Sequence, residues 1–269
     1  MRDPLSLAAA FLLALFLCCA LLGPWIVPYD PIATDTAVAL RPPSAAHWFG
    51  TDQLGRDVFS RVVVAARLDL GIAFAAVLLS LAVGAVLGAA MGYAQGWLDA
   101  VAGRVTDVLM AFPLFVLAMA LVAVLGPSAA SVICATAAVN LPFYIRLARA
   151  EVSIRRHLGY AEAARVGGSG HARILRVFLL PNILPPLVVQ ASVNLGWAVL
   201  NTAGLSFLGL GIRAPAPEWG IMVAEGAQFA ISGRWWIAAF PGLALMLAVL
   251  SFNLLGDALR DLLDPGRRG

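Results

Sequence analysis

Residues 160–186 read YAEAARVGGSGHARILRVFLLPNILPP, a basic, helix-capable insert between two long apolar segments. Ala163 and Ala164 are small enough to let two helices approach closely. The run Gly167-Gly168-Ser169-Gly170 then breaks the helix and allows a sharp turn. Beyond the turn, Ile174, Leu175 and Phe178 recur at helical spacing as an apolar stripe flanked by Arg173 and Arg176. A helix, a tight turn and a second helix with this pattern form a knob suited to a partner's hole, and the positive charge suits an acidic rim.

The rest of the chain gives this hairpin its setting. Of 269 residues, 61% are hydrophobic and 12% charged, with a mean hydropathy of +0.89. A soluble domain carries about 25% charged residues, so the composition points to an integral membrane protein. Six stretches approach the ~20 apolar residues that cross a bilayer: 5–27, 70–93, 105–126, 128–147, 187–208 and 236–257. All eighteen basic residues are arginine. Without lysine the chain can hold neither a phosphate-binding P-loop nor a lysine Schiff base. Cys18, Cys19 and Cys134 lie in apolar segments, and His47, His157 and His171 are scattered, so no metal-ligand spacing emerges. The net charge of +3 follows from membrane topology rather than from nucleic-acid binding.

In chain order, Arg2 precedes an apolar run too long for a cleaved signal peptide and ending at Trp25 and Tyr29, which suit a membrane interface. A Pro-rich polar stretch leads to GTDQLGRDVFSR, Gly50 to Arg61. There Thr51-Asp52 offers a cap or Asx turn, Gly55 a turn, and Arg56-Asp57 a local ion pair. This segment reads as an outer connector or as a contact for a solute-binding protein. In the second span Ala76, Ser80, Gly84, Gly88 and Gly92 fall every four residues, a small-residue ridge for a neighbouring helix. Pro113 and Pro142 are expected to kink the third and fourth spans. The fifth span carries Gln190, Asn194 and Asn201, amides that serve as interhelical glue or line a watery path. Asn194 and Asn201 share a face, which makes this helix the candidate lining of a pathway. Glu218 and Glu225 are expected near an outer mouth, with Trp219 at the interface. Placing the segment after the fourth span inside puts both termini inside, with twelve arginines inside and six outside.

Four strings carry a family resemblance. Glu162-Ala163-Ala164, then Gly168, Phe178 and Leu180-Pro181 at their spacing, resemble the EAA loop of inner-membrane permeases of ATP-binding-cassette importers, with Phe178 where that pattern usually has Ile. GTDQLGRDVFSR, LSFLGLG (Leu205 to Gly211) and the C-terminal FNLLGDALRDLLDP are similar to the dipeptide/oligopeptide/nickel branch. The resemblance covers about 47–265 and implies an all-α integral membrane protein of type I importer architecture, with six transmembrane helices and both termini cytoplasmic. It divides the chain into 1–69, a first span with an outer segment, and 70–269, a five-helix core whose coupling loop is 149–186. It further implies a bacterial-type inner-membrane subunit that forms half of a pathway for peptides or related small solutes and catalyses nothing itself. Its partners would be a homologous permease, two ATPase subunits holding ATP and magnesium, and an extracytoplasmic binding protein; no cofactor would bind this chain. The competing class is a stand-alone secondary transporter or channel. Ion-coupled carriers place ionisable residues at mid-membrane, and the apolar segments as drawn hold essentially none away from their edges.

Overall fold

A computed structural model of the chain describes residues 4–263, and among these all regular elements are helices. They are α1 (Pro4–Ile26), α2 (Val58–Ala94), α3 (Trp97–Ala111), α4 (Leu114–Leu125), α5 (Ala129–Arg155), α6 (Gly159–Val166), α7 (His171–Phe207), α8 (Trp219–Ala230) and α9 (Trp236–Leu263). Five of them, α1, α2, α5, α7 and α9, are long and apolar enough to cross a membrane; a sixth span results if α3 and α4 are counted together. Arg2, Arg267 and Arg268, which enter the topology count, lie outside the described residues.

Three boundaries differ from the sequence reading. The second span begins at Val58 rather than at 70, because Asp57 caps it: its Oδ2 accepts from Ser60 N at 2.8 Å and Ser60 Oγ at 2.7 Å. The boundary expected at 69/70 therefore falls inside a continuous 37-residue helix, about 55 Å long. The expected third span, 105–126, is not one kinked helix. Phe112 is extended (φ −81°, ψ 145°), Pro113 opens α4, and the axes of α3 and α4 differ by 93°. The proline ring disfavours the helical conformation of the residue before it, which accounts for a full break. Finally, α7 starts at His171, before the expected 187, and passes through a π-helical turn at Ile174–Leu179. α5 continues through Pro142.

The centre of the bundle is the α2–α5 crossing. Ala76, Ser80, Gly84, Gly88 and Gly92 are all buried. A Cβ at Gly84 would stand 2.5 Å from Tyr144 Cβ, and one at Gly88 would overlap the Ile145 carbonyl and lie 2.9 Å from Ala148 Cβ. Backbones that approach this closely gain dispersion contacts without needing a difference in hydrophobicity between protein and lipid. Gly88→Leu is therefore expected to lower stability by about 1–3 kcal/mol, read as a drop in thermal midpoint of the purified chain. Gly71→Ala, with nothing within 4 Å of its new methyl, is expected to leave the midpoint unchanged or higher. The main core joins α2 and α5 to α1, α7, α8 and α9, while Ala118 and Val122 of α4 enter a smaller core with α5.

Candidate functional site

The hairpin between α5 and α7 spans residues 156–170, shorter than the expected 149–186, because both flanking helices extend into that range. α6 ends in a Schellman motif. Gly168 takes φ +79°, its N–H bonds Arg165 O at 3.1 Å, and Ser169 N bonds Ala164 O at 3.0 Å. On the inner side of α6, Ala161 is fully buried and Ala164 half-buried. Its outer side carries Glu162, Ala163 and Val166, the last 90% exposed. Across the turn, Arg173, Arg176, Val177 and Pro181 are exposed. The expected apolar knob is corrected here. Ile174 is fully buried, and Leu175, Phe178 and Leu180 are half-buried, with Leu175 and Leu180 against the chain's own core. The stripe anchors the hairpin to the bundle. What a partner could touch is the Glu162–Val166 side with the arginines beside it.

On α7 the three amides have different neighbours. Gln190 Nε2 donates to Asn194 Oδ1 at 2.9 Å, leaving the buried Asn194 Nδ2 without a partner. Asn201 Nδ2 donates to Thr136 Oγ1 of α5 at 2.9 Å, a bond between two helices. Asn201 also lines a largely apolar cavity of about 440 Å³ with Leu114, Phe115, Trp197 and Phe207. Gln190 lines another of about 540 Å³ near Glu151, Arg155 and Arg260. The two cavities lie along different parts of the same helix, so α7 presents polar groups to open space at both.

At the far end of the bundle is a buried charge network. Arg56, 2% exposed, pairs with Asp52 at 2.6 Å and with Glu225 of α8 at 2.8 Å. Arg61 lies 3.7 Å from Asp52 and donates to Pro31 O at 2.9 Å. Asp57 meets His47 at 2.9 Å. Asp69 of α2 accepts from Trp219 N at 3.1 Å, and its carboxyl interacts electrostatically with that of Glu218, both groups being buried. Two buried carboxyls that feel each other's charge do not both ionise, which favours one proton held between them. Glu218 also caps α8, accepting from Gly220 N at 2.9 Å and Ile221 N at 2.7 Å. Burial pushes the Glu218 carboxyl upward, against these N–H bonds, which pull it down.

Residues 84–269 match the family described as binding-protein-dependent transport system inner membrane component. The chain belongs to this permease family. Residues 1–43 of the permease also match the N-terminal transmembrane domain of oligopeptide transport permease C. Among curated relatives, it is 43% identical to the probable D,D-dipeptide transport system permease protein of Escherichia coli (strain K12), covering 99% of this chain and 89% of the relative. It is 42% identical to the dipeptide transport system permease protein of Alkalihalophilus pseudofirmus, over 98% and 86%. To the nickel transport system permease protein of Escherichia coli (strain K12) it is also 42% identical, over 96% and 92%. The permease is thus an inner-membrane subunit of an ATP-binding-cassette importer, and its relatives are transport subunits rather than enzymes.

Sequence reasoning missed most of the permease's far-end network. Arg56 pairs with Asp52 and Glu225, not with its neighbour Asp57. Glu218 and Trp219, expected at a mouth and an interface, have no exposed surface, and Trp219 Nε1 donates to Val62 O at 2.9 Å. One signal was available. Asp52, Arg56, Arg61 and Asp69 recur through a segment that turns apolar at Val62, which is hard to reconcile with a solvated connector.

Proposed function

We propose that this permease forms half of the translocation pathway of an ATP-driven importer for peptides or related small solutes, and that the hairpin at 156–170 couples it to a separate ATPase. The observation that carries the coupling role is the hairpin's division into two sides. Ile174 of its apolar stripe is sunk in the permease's own core with Leu175 packed against it, while Glu162, Ala163 and Val166 face outward on a short helix held by a glycine turn. An element anchored in this way transmits a push on its outer side to α5 and α7, the two helices it joins. α7, carrying Gln190, Asn194 and Asn201, is the proposed lining. The peptide class rests on the dipeptide relatives.

The proposed assembly adds a homologous permease chain, two ATPase subunits that hold ATP and magnesium, and an extracytoplasmic binding protein; this chain holds no cofactor. Six spans of a type I importer, with α3 and α4 counted together, and cytoplasmic termini are the arrangement the arginine distribution favours. ATP binding closes the ATPase pair, the hairpin carries that motion into the spans, and the path opens toward a loaded binding protein. This is a bias between two states set by different contacts in each.

Reconstitution tests the reading. Vesicles holding the full assembly should accumulate dipeptide only with ATP and binding protein present. Flux driven by this chain alone would replace the reading with a stand-alone transporter. For orientation, cysteine at Val166 is expected to react with impermeant maleimide only from the cytoplasmic side, and at exposed Ala45 only from the opposite side. The reverse labelling would overturn the topology.

A further inference from the structure

Behind the hairpin, where α2 and α5 end and α7 begins, is a cavity of about 480 Å³ lined by Tyr93, Ala94, Arg156, Arg165 and His171. The half-buried Arg156 holds its guanidinium in place by donating from Nη1 to Tyr93 O at 2.5 Å. The Tyr93 hydroxyl lies 2.7 Å from His171 Nδ1, fixing that ring as a second wall. Arg165 is on the flank of α6, between buried Ala161 and exposed Glu162.

The other arginines near this end show what is unusual here. Arg149 is held by Asp99 at 2.6 Å, and Arg155 by Glu151. Among the described residues, Arg156 and Arg165 meet no carboxylate at ion-pair distance, and no carboxylate lines the cavity. Two guanidiniums, an imidazole and a phenol around one concave space offer hydrogen-bond donors and positive charge without a counter-ion. Just after Ala94 the chain turns at Gln95 and Gly96 into α3, whose Trp97 is 73% exposed, with Val101 and Val105 exposed on the following turns. An exposed Trp that begins an apolar stripe marks headgroup depth, so the cavity opens at the level where lipid phosphates lie.

We infer that this cavity is a binding site for a phosphate group, with Arg156 and Arg165 as its charge partners and the headgroup of an anionic lipid as its source. The inference rests on the hairpin end facing the cytoplasm, where anionic headgroups attract basic pockets between spans. Binding there would tie α6 to the ends of α2 and α5, making the hairpin's attachment sensitive to lipid composition.

Native mass spectrometry of the purified full chain tests this, with phosphatidylglycerol, phosphatidylcholine and inorganic phosphate as probes. Arg156→Gln and Arg165→Gln are each expected to weaken phosphatidylglycerol retention about fivefold. Phosphatidylcholine retention should stay unchanged, and Arg173→Gln, outside the cavity, should match the parent. Arg165 is exposed, so its variant should unfold at the parent's temperature, separating a lost site from a lost fold. Displacement of the lipid by millimolar phosphate would keep the anion site and reassign its source to free phosphate; resistance to phosphate would keep the lipid. Equal phosphatidylglycerol retention by parent and both variants overturns the site. So does loss of the lipid on adding ATPase subunits, if Arg165→Gln also weakens co-purification of those subunits. None of these readouts depends on transport, so failure here leaves the coupling role standing, and failed uptake leaves the site standing.

Discussion

Glu162→Lys and Gly168→Val are expected to abolish most solute uptake while leaving the permease inserted and folded. Glu162 is exposed in the first turn of α6, so reversing its charge costs the chain only the modest penalty of a cation near a helix N-terminus, about 0.3–1 kcal/mol. The same reversal on a face that docks another protein removes a complementary charge and adds a repulsive one, an effect of several kcal/mol. Gly168 has open space around it but sits at φ +79°, where a β-branched residue is strained by about 1–2 kcal/mol and the Schellman bonds are loosened. Neither change touches the core. If the outer side of the hairpin is a docking hot spot, a loss of about 2 kcal/mol lowers ATPase affinity roughly thirtyfold, measurable by co-purification and by ATP-driven uptake. Ile174→Ala behaves differently. It empties a fully buried position and costs the bundle about 2–5 kcal/mol of stability, so its thermal midpoint falls. Normal uptake by Glu162→Lys and Gly168→Val would remove the hairpin from the coupling path.

Glu218→Ala is expected to destabilise the permease more than any surface change, by about 2–4 kcal/mol. It strips Gly220 N and Ile221 N of their acceptor and leaves Asp69 facing a hole. Asp69→Asn is its informative counterpart. The amide can donate to Glu218 and still accept from Trp219 N, so it replaces the shared proton with a fixed one, and the thermal midpoint should stay close to the parent's. The pH dependence follows from the direction of the Glu218 shift. Burial raises its carboxyl in the folded chain above the unfolded value. The folded state therefore keeps its proton to higher pH, and the stability this provides is present at low pH and declines as pH rises past the ordinary carboxylate range. Asp69→Asn should flatten that decline in a midpoint-against-pH series. A large loss in Asp69→Asn at neutral pH would contradict a proton shared between these groups.

Much of the fold could be read from the chain because apolar length and glycine spacing are local signals. The α2 ridge at Gly84, Gly88 and Gly92 lies along α5 in the bundle, and the glycine run after α6 is where the chain turns. What escaped sequence reading depends on distant partners. Arg56 meets Glu225 across 169 positions, and Trp219 meets Asp69 across 150, separations at which no periodicity operates. The second span, expected to begin at 70, starts at Val58, and Asp69 lies inside it, where Trp219 N supplies a partner. The turn of the hairpin falls at its glycines, whereas the apolar stripe lies mostly toward the chain's own core rather than outward. Helical spacing defines a stripe without saying whether it faces a partner or the chain's own core.

The break at Phe112 and Pro113 bears on how this polypeptide is made. α4 has twelve residues, about 18 Å of helix, against a hydrocarbon layer of about 30 Å. It cannot hold itself across the lipid, and Ala118 and Val122, both fully buried, are covered by elements that include α5. As the ribosome delivers the chain, α4 is expected to stay sheltered from lipid until α5 emerges, the two then entering the bilayer together as a hairpin. With the nascent chain truncated before Ala129, a cysteine placed in α4 should react with water-soluble maleimide, whereas extending the chain past Arg155 should protect it.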